Sequence, residues 1–497
     1  MKAVFLRIAS LWVIFAFTSV TWGQTPAQIA QAELGRQLMA DGKFEQAIPI
    51  YRQLSQAVPG NPGLLLNLGM ALQLAGHSRQ AVAPLESALK IDSTIQPAWL
   101  FLGSAYLGLG KPDRAIPLLK KFVHAQPEDT GGRQSLGDAY LAAGDFAAAG
   151  PEYQKLTQLE PENPRAWYGL NRCLAALAEA SLHSIEQSAP ESAWWLALVG
   201  DERLVRRQFR SAFFFYRKAE SLQPALPGLH ASIADVYQES GHPDWADAER
   251  KRESHQDCAA KPLACAYTSA KYEDVIRLAG TSPTPEACYW RSKAYSQLAR
   301  DAFARLEKLR EGPEIHELRA GLLRARRQNL ESIKEWRRAL EFTPHDEHLR
   351  EELLLSLYQA RDYAAALPLA DELLRENPAS PELNFTKGDI LLSSQETEKA
   401  MPYLKAALKS NPKLLAAHHA LGRAYMQIGQ PAAAIPHLQA ALPIDEDGSL
   451  RYQLTRAYQA TGQTELGNKA LADYQEYQKS DRAGKTALEE ELKITPP

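Results

Sequence analysis

Cysteine is scarce: four are spread over 497 residues, and no two form a CxxC pair. A paired-thiolate zinc motif is therefore absent. The chain also lacks a glycine-rich phosphate loop, a GxSxG nucleophile elbow and an HExxH helix. Those absences remove the motif-borne nucleotide, serine-hydrolase and metalloprotease chemistries. Net charge is only −3, which gives no reason to expect nucleic acid or an anionic membrane surface as partner. Beyond the first two dozen residues no apolar run is long enough to cross a bilayer. No low-complexity tract interrupts the chain.

What is present is ordinary in bulk, with 45% apolar and 23% charged residues, the composition of a folded protein. The N-terminus carries Lys2 and Arg7, then an apolar run from Ile8 to Val20, then small residues at Thr21 and Gly23. The run is short for a membrane anchor, so residues 1–23 are expected to be a secretory signal peptide cleaved after Gly23. Its loss removes two positive charges and takes the net charge to −5. The expected compartment is periplasmic or extracellular, with no membrane span once the leader is gone.

A period of 34 residues organises the chain beyond the leader. Small residues recur at Gly35, Gly69, Gly103 and Gly137, with Asn171 at the next step, and alanines keep phase at Ala47, Ala81, Ala115 and Ala149. The stretch from Gln96 to Pro127 shows the logic. Trp99, Leu102 and Tyr106 make one apolar helix face. Gly103 sits where a second helix comes closest, and Ala115 is its small counterpart. Gly110 and Pro112 end one helix and begin the next.

These residues follow the pattern Trp-x2-Leu-Gly-x2-Tyr then Ala-x3-aromatic, with Leu119 in the aromatic place, and the sequence resembles the tetratricopeptide-repeat family, of a secreted bacterial type. The resemblance implies an all-α fold: an α-solenoid, a right-handed superhelix of stacked helix–turn–helix hairpins. A single hairpin cannot bury its apolar face alone, so neighbours must stack on it. The N-terminal array is expected over 24–252. The grid slips after Asn171, weakens over 253–312, and that stretch is read as an irregular helical hinge. A second array is expected over 313–475, where Ala320, Leu354, Gly388 and Gly422 are 34 apart. Residues 476–497 are expected to be a capping helix and tail. Pro49, Pro117, Pro151, Pro368, Pro402 and Pro436 all stand two residues after the second helix's small position, which predicts short or slightly bent second helices.

In this fold the concave wall is built by first helices, from the residue after the small position and those three or four either side. That rule selects Leu66, Met70, Leu74, Leu100, Leu107, Leu141 and Tyr168 in the first array. These apolar side chains either receive a peptide or are buried by tight curvature. In the second array it selects Arg324, Tyr358, Phe385, Asp389, His419, Arg423, Tyr452 and Arg456, a mixture of arginine and aromatics common at interaction surfaces. Leu66, Met70 and Ser104 occupy wall positions where some chaperone adaptors of the family carry Lys and Asn, so capture of a partner's terminal carboxylate is not expected.

Cys258 and Cys265 flank a short loop and are the disulfide candidate in an oxidising compartment, although four cysteines allow three full pairings. No cofactor, metal or catalytic residue is expected. The resemblance implies a non-catalytic scaffold or adaptor that binds a protein or peptide in its groove. Two alternatives stay open: a structural assembly factor of an envelope secretion or polysaccharide-export complex, and a regulatory subunit of an enzyme complex.

Overall fold

The computed structural model describes residues 25–252, 258–491 and 493–497, without the side chains of 480–491. The leader 1–23 lies outside the described residues. Helices and turns make up the fold, and no strand occurs among the described residues. Hairpins follow one another: α1 (Pro26–Ala40) with α2 (Phe44–Ala57), α3 (Pro62–Leu74) with α4 (Ser78–Ile91), α5 (Gln96–Gly108) with α6 (Pro112–Ala125), and α7 (Thr130–Ala142) with α8 (Phe146–Leu159). First helices also touch one another, α3 against α5 and α5 against α7, so one wall of the stack is built from them.

Packing within a hairpin depends on one close approach. A Cβ added at Gly103 would lie 2.7 Å from Leu119 Cγ, and one at Gly69 would lie 2.3 Å from Leu85 Cγ. The facing residue is always sixteen positions on: Tyr51 for Gly35, Tyr153 for Gly137, Tyr216 for Gly200, Leu404 for Gly388 and Leu438 for Gly422. Tyr153 is clamped on both faces, since Gly169 of the next helix would also meet its ring, at 2.3 Å. At Leu354 the first partner is large and the residue sixteen on is the small Ala370, both in one buried cluster.

The regular hairpins stop at α9 (Pro164–Ser188), a single helix of 25 residues. Residues 172–188 contain neither glycine nor proline, so nothing ends the helix where a hairpin turn is due. The next hairpin is α10 (Ala193–Val205) with α11 (Phe209–Leu222), then α12 (Leu229–Glu239) with the short α13 (Pro243–Arg250). After α14 (Pro262–Thr268) and α15 (Tyr272–Ala279) comes α16 (Pro285–Leu306). Hairpins then resume as α17 (Pro313–Ala325) with α18 (Asn329–Phe342), α19 (Glu347–Gln359) with α20 (Tyr363–Glu376), α21 (Pro381–Ser393) with α22 (Thr397–Ser410), and α23 (Leu415–Gln427) with α24 (Pro431–Ala441). The last pair is α25 (Ser449–Ala460) with α26 (Thr464–Glu491).

Compact units do not follow sequence order. One comprises Met1–Gln187 with Ser269–Arg310, the other Ser188–Thr268 with Glu311–Pro497. The grouping differs from a division around a hinge at 253–312, and the cause is α9. Its exposed flank is covered by α16: Asn171 Nδ2 donates to Ala299 O at 2.7 Å, and Ser292 Oγ donates to Ala178 O at 3.0 Å. In the second unit the end of α10 meets the turn after α17, with Arg326 Nε donating to Val205 O at 3.2 Å.

Two further expectations change. Of the six second helices bearing the recurrent proline, α2, α6, α8, α20 and α22 each run fourteen residues, and α24, with Pro436, is the short one at eleven. The proline is the sixth helical residue in each, so the carbonyl it leaves unbonded belongs to the second residue, at the helix start. No separate capping helix begins at 476 either: α26 is continuous from Thr464 through 28 residues.

The close approach makes a prediction. Gly103→Ala should destabilise by about 1–3 kcal/mol through overpacking, and Leu119→Ala by about 2–5 kcal/mol through cavity formation. Urea unfolding of the double variant should show it about 1 kcal/mol more stable than additivity, because the new methyl enters the space that Leu119 vacates. Additive losses would mean that the two residues do not set the hairpin separation.

Candidate functional site

The first-helix wall of the first unit is apolar and partly filled. Leu66 and Leu100 are only 3% and 5% exposed. They belong to the core, and the expectation that they line an open groove is corrected: α3, α5 and α7 touch directly, and that curvature buries them. Met70, Leu74, Leu107 and Leu141 are half-buried and pack on the same core. Tyr168 on α9 is also half-buried, with the Arg172 guanidinium 5.6 Å from its ring centre.

Polar groups stand next to this wall at places that apolar pattern reasoning passed over. Asp138 follows Gly137 directly, and the Tyr153 hydroxyl donates to it through the gap between the helices. Desolvation pushes the Asp138 carboxyl above the usual carboxylate range, while that hydroxyl and the charges of Arg165 and Arg172 act in the opposite sense. Tyr216 donates to Asp201 at 2.7 Å in the same relation. The Gly-Asp dipeptides at 137–138 and 200–201, each with a tyrosine fifteen residues after the aspartate, are the sequence signal for this device.

In the second unit the wall carries a connected polar row. Asp389 on α21 is buried and accepts from the Tyr358 hydroxyl of α19 at 2.7 Å and from Arg423 Nη1 of α23 at 3.4 Å. Burial first, then the Asp389 charge, pushes the Tyr358 hydroxyl upward, so it stays protonated and donates. His419 lies one helical turn before Arg423. Burial first, and the Arg423 charge second, hold its pKa below the ordinary 6.5. Its Nε2 is enclosed without a hydrogen-bond partner.

The remaining wall residues are more scattered. Phe385 packs against the cluster of Leu391, Leu404 and Leu421. Tyr452 is 46% exposed with Tyr474 beside it, ring centres 5.3 Å apart, and Arg456 is exposed. Arg324 pairs with Glu352 and lies over the Trp336 ring. Structure thus joins Tyr358, Asp389, Arg423 and His419, and leaves Arg324, Tyr452 and Arg456 outside that row.

Elsewhere, Cys258 and Cys265 are joined as a disulfide with Cα atoms 5.4 Å apart. Cys173 and Cys288 are buried free thiols, and burial pushes Cys173 up to about 12. Glu220, His230 and Glu249 bring three potential ligand atoms within 4.8 Å of one another. The Arg252 guanidinium already pairs with Glu220 at 3.0 Å and with Glu249 at 3.1 Å, so that cluster holds its own cation.

Stacked antiparallel hairpins built on a small-residue contact define a helical-repeat protein. Two tetratricopeptide-repeat models match the sequence, one at residues 66–130, 135–182 and 352–414, the other at 38–92 and 391–456. The chain belongs to the tetratricopeptide-repeat family. It is 24% identical over 241 residues to the BBSome complex member BBS4 of Mus musculus, covering 41% of this chain and 46% of that protein. The chain thus spans about half the length of the curated relatives it matches first. Among solved structures, MamA from Desulfovibrio magneticus RS-1 is 22% identical, covering 30% of this chain and 84% of that one, with a TM-score of 0.29. The APC/C hetero-tetramer Cut9–Hcn1 is 13% identical, covering 95% and 97%, with a TM-score of 0.34.

The state of His419 sets a pH dependence. A histidine held neutral when folded binds its proton more tightly when unfolded, so stability falls as pH drops below the ordinary 6.5. Thermal unfolding followed between neutral and mildly acidic pH should show that fall. His419→Gln should flatten it, and an unchanged slope would remove His419 as its source.

Proposed function

We propose that the protein is a non-catalytic adaptor, secreted or periplasmic, that docks a protein or peptide partner on the first-helix walls of its repeats. The observation that carries this reading is the row of half-buried apolar residues Met70, Leu74, Leu107 and Leu141 along the first unit's wall. They are anchored in the core at one side and retain surface at the other, as anchor residues of a docking site do. The relative BBS4 is by name a member of the BBSome complex, in keeping with an adaptor role. The basic and apolar leader supports export, and the Cys258–Cys265 disulfide suits an oxidising compartment. Arginine and tyrosine in the second unit's wall supply residue types that dominate interface hot spots.

Site-specific photo-crosslinking in cells of the source organism tests the reading. A probe at Leu107 on the wall, with Asp113 at the start of α6 as control, should capture a distinct protein at Leu107 alone. Equal capture at both, or none at either, would contradict docking on this wall and favour the assembly-factor alternative, in which contacts lie on the convex face.

A further inference from the structure

Three first helices of the second unit, α10, α17 and α19, run into turns whose left-handed residue is arginine: Arg207 (φ 58°), Arg327 (φ 59°) and Arg361 (φ 60°). At the matching turns of α1, α3, α5 and α7 the residue is Gly42, Gly76, Gly110 and Gly144. A side chain there carries backbone strain that glycine avoids. The local sequence also repeats, as Arg206-Arg207-Gln208 and Arg326-Arg327-Gln328. A cation near a helix C-terminus complements the helix dipole, which accounts for Arg206 and Arg326 at the ends of α10 and α17. It does not require arginine at the strained position one residue further on. Strain kept at a surface turn points to use rather than to stability.

The turns after α10 and α17 meet at one place beside the end of α19, and of the three left-handed arginines Arg327 lines it. Arg206, Arg324 and Arg327 line a cleft of about 550 Å³ together with Gly321, Asn329 and Gln359, and no carboxylate is among its lining residues. Arg206 pairs with Glu202 and Arg324 with Glu352, neither of which lines the cleft. Arg327 is exposed and makes no ion pair among the described residues. The cleft therefore offers guanidinium donors to an anion, and the exposed Gln359 side-chain amide in its lining offers an acceptor to an N–H group. A simple anion answers only the first. A peptide bearing Asp or Glu answers both, through its carboxylate and its backbone amide.

We infer that this cleft receives an acidic segment of a protein partner, with Arg324 and Arg327 contacting its carboxylates. The inference rests on the proposed docking function and names the chemistry of one contact. Arg327→Gly tests it without endangering the fold, because glycine suits the left-handed turn and should unfold no earlier than the parent chain. Fluorescence polarisation with a labelled peptide of alternating Glu and Ala, and its Gln counterpart, would be read on the full chain at low salt. The acidic peptide should bind and the Gln peptide should not. Arg327→Gly should weaken binding roughly three- to tenfold, Arg324→Gln/Arg327→Gly should weaken it further, and added salt should do the same. Equal binding of the Gln peptide, an affinity unmoved in the folded Arg327→Gly variant, or tighter binding of a thymidine oligonucleotide would overturn the inference. Crosslinking at Leu107 that survives such a result would leave the docking function standing and remove only this contact.

Discussion

The contact between a small residue on one helix and a larger one sixteen positions later is the constraint on which the rest depends. Gly103 against Leu119 and Gly388 against Leu404 fix how near the two helices of a hairpin lie. Interior packing leaves no slack at such a place, so the pair behaves as one unit of volume. Leu354 with Ala370 shows the same volume distributed the other way. Once hairpins have a set thickness they stack regularly, and their first helices present a continuous wall.

Where the contact is missing, the chain is rearranged. Asn171 stands in the small position, but α9 runs on through Ser188 and supplies no second helix. Its flank is covered by α16, more than a hundred residues later, and the Asn171 amide is spent on the carbonyl of Ala299. That substitution frees α10 to α14 from the first unit and places them with the second. Both the cleft beside Arg206 and the wall row from Tyr358 to His419 belong to that second unit, so a local failure of the repeat shapes the surface available for docking.

Much of this was legible in the sequence, for physical reasons that also mark its limit. Gly35, Gly69, Gly103 and Gly137 with their alanine partners disclose the hairpins, because the contact that needs them is local and periodic. Turn positions were legible too: Gly110 adopts φ 66° and α6 begins at Pro112. The grouping of 269–310 with the first unit was not legible, since hydrogen bonds such as Asn171 to Ala299 carry no periodic signature. Burial of Leu66 and Leu100 was equally hidden, because it depends on how closely successive first helices approach. Asp138 was missed for a different reason, being a polar residue on a wall defined by its apolar pattern, although the Gly-Asp dipeptide marks it.

The most direct test of this account is hydrogen exchange in a chain carrying Ser292→Glu, which puts a charge on the buried side of α16 facing Ala178. Protection should fall together in 164–188 and 285–306 and stay unchanged in 313–342. If 164–188 kept its protection while 285–306 lost its own, α16 would not be the partner of α9, and the account of how the broken repeat is repaired would be wrong.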